Sequence, residues 1–189
     1  MSGTLPNSPV GSVDPDTVLG GLAAVGVVGD RPDEVAAQAV RLAKEEAERR
    51  PVMLFNLLGD NVAPARLVAG DDPQGISDAV RFGITPVRVA RILPGTPKVS
   101  IVPGGSESPL HRDVLADRAW ERWIESCRRT GTLCLIAAPG DRDDISVLLD
   151  RLDGLVVVGD AIPFSRAPVL RRIRVTQAER ARRRPPVSA

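Results

Sequence analysis

The chain has 189 residues, 43% apolar and 26% charged, with 25 basic against 24 acidic side chains for a formal net charge of +1. That length suits one domain with a full core rather than a two-domain enzyme, and no uninterrupted apolar run approaches the roughly 18 residues of a membrane span. Two cysteines, Cys127 and Cys134, are too few for a disulfide framework or a four-thiolate metal site, and the single histidine, His111, excludes a multi-histidine site within one chain.

Residues 1–18 have no basic start followed by an apolar stretch, so they are not read as a secretory signal but as a flexible tail before a cytoplasmic domain. Residues 22–28, LAAVGVV, form a short apolar run that predicts a buried strand, and Asp30, Pro32 and Asp33 supply helix-start chemistry. The helix is expected to run to about Arg50, with Val35, Ala39, Leu42 and Ala43 on one face and the KEEAERR segment in solvent. Its acidic residues come early and its arginines late, matching the helix dipole. Pro51 ends it, and residues 52–58 predict a second buried strand, giving a strand, helix, strand unit of a parallel sheet.

The segment GISDAVRFG, residues 75–83, predicts a short helix, and residues 89–105 predict two short strands around a Pro-Gly turn. From Asp113 to Arg129 the spacing predicts one amphipathic helix with Ala116, Trp120, Trp123, Ile124 and Cys127 on its buried face. Cys127 and Cys134 are expected as reduced core thiols and His111 as a solvated loop residue. Residues 133–140 and 155–160 predict two further buried strands separated by a helix around DISVLLDRL. Val169, Ile173 and Val175 predict an edge strand before an arginine-rich end. This alternation specifies an α/β fold, a mostly parallel sheet with helices on both faces, with one domain over residues 19–170 between tails at 1–18 and 171–189.

In this order and spacing, GISDAVRFG, VSIVPGGSESPLHRDVL, LCLIAAPGD and LDGLVVV resemble the cytoplasmic ATPase domain of bacterial tyrosine kinases of capsule and exopolysaccharide synthesis, part of the wider MinD/ParA group of P-loop proteins. The resemblance covers about residues 20–160. It implies a three-layer P-loop fold, a membrane polysaccharide co-polymerase or export component as partner, and assembly into homo-oligomers.

The family's catalytic positions are altered. A phosphate loop uses glycines that turn successive N–H groups toward the phosphates, a lysine on the β and γ oxygens, and a Ser or Thr hydroxyl on magnesium. The matching stretch runs from Gly29 through Asp30 and Arg31 to Pro32 and has no lysine and no Ser or Thr, while Asp30, Asp33 and Glu34 would repel phosphate. Asn56 and Leu58 stand where the second motif is acidic, and Asp60 comes two residues late. Ala137 stands where the third motif has its strand-end aspartate; Asp141, Asp143 and Asp144 follow in a turn expected to cap the next helix. The family's kinases phosphorylate a tyrosine-rich tail, and this chain has no tyrosine.

The expectation is a pseudoenzyme without catalytic residue, cofactor or metal, acting through protein contacts. Arg171, Arg172, Arg174, Arg180, Arg182, Arg183 and Arg184 are its candidate partner-binding residues. One alternative is an ATPase or anion-binding enzyme with an altered site using Arg31, Asn56 or the PGGSES loop at 103–108. Another is a nucleic-acid-associated protein, which rests on the arginine tail alone and makes nucleic acid the less expected partner.

Overall fold

The structure, a computed structural model, describes residues 19–59, 62–68 and 73–174. Strand β1 (Ala24–Gly29) leads into helix α1 (Pro32–Ala47) and strand β2 (Val52–Asn56), followed by three short helices, α2 (Ala63–Leu67), α3 (Ile76–Arg81) and α4 (Pro86–Val89). Strands β3 (Arg91–Leu93) and β4 (Thr96–Val102) form a hairpin. Helices α5 (Arg112–Ala116) and α6 (Ala119–Thr130) then precede β5 (Leu133–Pro139), and α7 (Ser146–Leu149) separates β5 from β6 (Gly154–Val158) and β7 (Val169–Ile173).

These strands form one sheet in the order β3-β4-β2-β5-β1-β6-β7, parallel except for the β3–β4 pair. The predicted α/β class is therefore the observed one. The continuous apolar runs of β1, β5 and β6 belong to strands buried on both faces, as parallel sheets require. One layer places Val35, Ala39, Leu42 and Ala43 of α1 against Val25, Val27, Leu54 and Leu135. The opposite layer packs α3, α5, α6 and α7 against Phe55, Val102, Ile136 and Val157. Trp120 and Trp123 lie in that second layer, within 5.2 and 5.8 Å of the Phe55 ring, so they are core and not an exposed platform.

Three expectations need correction. The helix predicted over Asp113 to Arg129 is two helices, broken at Asp117 and Arg118, and Ala116 is exposed rather than on the buried face. The break is held from both sides: the Asp117 carboxylate accepts the Ala119 N–H at 2.6 Å, and the Trp120 indole donates to the Val114 carbonyl at 2.9 Å. Second, the KEEAERR segment is not uniformly solvated, because Glu46 is 7% exposed. Arg50 reaches back to the Leu19 and Leu22 carbonyls, and Glu46 neutralises it at 3.0 Å. Third, the helix expected around DISVLLDRL is a single turn. The predicted edge strand is β7; Val175 lies outside the described residues.

The Asp117 bond holds the first amide of α6 from the residue before its N-cap, a side-chain-to-backbone hydrogen bond worth about 1 kcal/mol. Asp117→Ala should lower the melting temperature by about 2–4 °C in a chain of this size, read by circular dichroism.

Candidate functional site

In open α/β sheets, ligands bind outside the carboxyl ends of the strands. Here β5 lies between β1 and β2, and its register aligns Val27 with Ala137 and Ala137 with Asn56. The sheet thus brings Gly29, Asp30, Arg31, Asn56, Leu58 and Ala137 to one edge, as the resemblance requires. What they do there follows from their contacts.

Gly29 ends β1 in a close-packed corner. A Cβ built on it would lie 2.6 Å from the Val158 carbonyl oxygen and 2.8 Å from a Val35 methyl. From the other side, the Gly140 N–H donates to the Gly29 carbonyl at 2.7 Å. Only Asp30 and Arg31 separate β1 from α1, and Pro32 occupies the first turn of α1 without an N–H. A phosphate cradle instead places several glycine-rich residues between strand and helix, so that consecutive N–H groups line a concavity. The Arg31 side chain is half-exposed and pairs at 3.5 Å with Glu34 of the same helix turn.

Asn56 is fully buried at the end of β2. Its Nδ2 donates to the Gly59 carbonyl at 2.9 Å and its Oδ1 accepts the Leu58 N–H at 3.2 Å, so both ends of the amide shape the turn. Leu58 packs against the α1-side core. Ala137 is buried and contributes only a methyl group. Asp60 lies outside the described residues. Beyond β5, Asp144 pairs with Arg142, whose hydrogen bond holds the carboxyl below the usual carboxylate range, and the Ser146 hydroxyl donates to the Asp143 carbonyl. Among the described residues, no group of three His, Cys, Asp or Glu side chains is arranged to hold a metal ion.

The PGGSES loop, considered above as an anion binder, already holds an anion of its own. The Asp78 carboxylate of α3 accepts the Gly75 and Ser106 N–H groups, both at 2.9 Å, and the Ser106 hydroxyl at 2.5 Å. The Ser77 hydroxyl accepts the Glu107 N–H at 3.2 Å. Gly75 and Gly105 permit this approach: a Cβ on Gly75 would lie 2.5 Å from the Gly105 nitrogen, and Gly105 has φ +108°. Residue type alone gives Asp78 no role. The available signal was the Gly-x-x-Asp spacing from Gly75, that of a capping box in which the acidic side chain reaches back to the N-cap amide.

The remaining candidates are dispersed. Cys127 and Cys134 are buried and free, and Cys134 is pushed well above the usual thiol value by its hydrogen bond with Cys127 and by burial. His111 is exposed before α5, its Nδ1 3.8 Å from Glu107. Arg171 and Arg172 stand on β7 and Arg174 just beyond it; all three are exposed, and Arg172 donates to the Ala161 carbonyl at 2.9 Å. Arg180, Arg182, Arg183 and Arg184 lie outside the described residues. No described helix is long and apolar enough to cross a membrane.

No protein-family model matches this chain, and neither does any curated protein. Solved structures do match. The VpsO kinase domain superposes with a TM-score of 0.62 at 15% identity, over 77% of this chain and 75% of that one. The BceF tyrosine kinase domain gives 0.57 at 15% identity, over 80% and 69%. The kinase domain of the Escherichia coli tyrosine kinase ETK gives 0.62 at 12% identity, over 88% and 70%. At such identities the likeness concerns the fold, and the fold of this chain is that of the bacterial tyrosine kinase cytoplasmic domain.

Proposed function

We propose that this chain is a pseudoenzyme: a P-loop-like domain that acts through protein contacts as a scaffold or regulator in exopolysaccharide or capsule synthesis or export, at the cytoplasmic face of a membrane. The two-residue connection from β1 to α1 carries this reading, because it stands where a P-loop fold cradles phosphate and has neither the length nor the lysine to do so. Phosphoryl transfer is catalysed by positioning and charge neutralisation. An edge with Asn56 turned inward, Ala137 in the metal position and Asp30 beside Gly29 offers little of either.

The partner in this reading is a membrane polysaccharide co-polymerase or export component, with a second copy of the chain as a further associate. Support comes from the β7 edge, where Ile162, Phe164 and Val169 are exposed beside Arg166, Arg171 and Arg174. A strand edge that is unpaired among the described residues and carries apolar and cationic side chains is a surface suited to an acidic, extended protein segment.

Calorimetric titration with ATP and ADP in the presence of magnesium tests the proposal. The expected result is no saturable heat at millimolar nucleotide. Micromolar binding would overturn it and make Arg31 and Asn56 the first residues to substitute.

A further inference from the structure

Toward the amino end of the strands, on the face away from α1, the α3–α4 segment and α6 stand apart and leave a groove of about 410 Å³. Small-ligand sites occupy about 300–1,000 Å³ and are mostly apolar with a few placed polar groups. Ile84, Pro86 and Val87 form one wall, Trp123 and Cys127 the other, and Met53 lies at the bottom. Met53 belongs to β2 inside the sheet yet is only half-buried, whereas the next residues, Leu54 and Phe55, are fully buried.

Two guanidinium groups, Arg122 and Arg129, also line the groove. Both residues are exposed, and among the described residues neither side chain makes an ion pair or hydrogen bond. Their neighbours differ: Arg128 is held by Glu125 and Asp153, and Arg81 by Glu107. Apolar walls with two uncompensated arginines match a ligand that is apolar at one end and anionic at the other, because the guanidinium fork fits carboxylate and phosphate oxygens. A neutral ligand leaves the charge unanswered, and a cation is repelled.

We propose that this groove binds a small, free amphiphilic anion. Its apolar body rests on Met53, Ile84 and Trp123, and its carboxylate or phosphate head is held by Arg122 and Arg129. This inference is independent of whether the β1–α1 edge binds nucleotide.

The test titrates the full chain with monomeric decanoate, decanol and decyltrimethylammonium and follows tryptophan fluorescence, to which Trp123 reports from the groove. Decanoate should bind saturably and more tightly than decanol, with the cation weakest. Charge reversal by Arg122→Glu together with Arg129→Glu should weaken decanoate by about tenfold or more while leaving decanol within about twofold. Ser126→Phe, which fills the groove from an exposed position, should abolish both without lowering thermal stability. Decanol binding as tightly as decanoate, decanoate binding insensitive to charge reversal, or a signal seen only with phosphatidylglycerol vesicles and not with the monomer would each overturn the proposal.

Discussion

Asp78→Ala should destabilise the fold by about 3 kcal/mol, a fall of roughly 6–12 °C in melting temperature for a chain of this size. Asp78 is 5% exposed and its carboxylate gathers four donors from two segments, the Gly75 amide and Ser77 hydroxyl on one side and the Ser106 amide and hydroxyl on the other. Alanine leaves the buried Gly75 amide and the part-buried Ser106 amide without their acceptor, and a buried donor so orphaned costs about 1–3 kcal/mol. Asp78→Asn, which keeps one oxygen acceptor but no charge, should fall between wild type and alanine.

The same carboxylate has a pH signature. Burial, the largest single influence, pushes its pKa up, but the hydrogen bonds from Ser106 and Gly75 together outweigh it and hold the group below its usual range. A carboxyl with a depressed folded pKa stabilises fully above its unfolded value of about 3.9, and that stabilisation is lost as pH falls through the folded value. The melting gap between wild type and Asp78→Ala should therefore be widest near neutrality and narrow below about pH 4. Asp144 and Asp150 are also held low, by the Arg142 side chain and the Arg166 amide respectively, but both variants share them and the difference removes them. A gap unchanged down to about pH 2 would show that the Ser106 and Gly75 bonds do not hold the charged form.

The parts of this fold that were legible in the sequence are those governed by local pattern. Continuous apolar runs marked β1, β2, β5 and β6 because strands covered on both faces need no polar alternation. The break between α5 and α6 was not legible, since the apolar spacing continues through it. What interrupts the helix is the Asp117 side chain competing for the Ala119 amide, together with an indole bond back to Val114. Glu46 was misjudged for a related reason: its burial depends on Arg50 reaching carbonyls about thirty residues earlier. At the candidate site, the placement of Gly29, Asn56 and Ala137 toward the carboxyl ends of neighbouring strands followed from segment order, whereas the role of Asp78 depends on Ser106, 28 positions away. The residue types of the PGGSES loop showed donors; they did not show that the donors were already engaged.

Asn56→Asp restores the acidic residue type that the kinase resemblance expects at this strand end, and it should cost about 3 kcal/mol at neutral pH rather than create a metal site. In the native turn, Nδ2 donates to the Gly59 carbonyl. A carboxylate oxygen in its place sets acceptor against acceptor and carries charge into a fully buried position. Burial without a counter-charge raises the folded pKa of the new carboxyl. The penalty should then be complete above that raised value and disappear as pH falls toward the unfolded value of about 3.9, because the protonated acid again has a hydrogen to donate. Magnesium should not rescue the variant, since the residue aligned with position 56 on β5 is Ala137, which has no ligand atom in its side chain. Thermal unfolding with and without millimolar magnesium separates the two readings: a fall that magnesium leaves unchanged fits an amide built into the turn, and a rise of several degrees on adding the metal would mean that a cation position survives at this edge and that the non-catalytic reading is wrong.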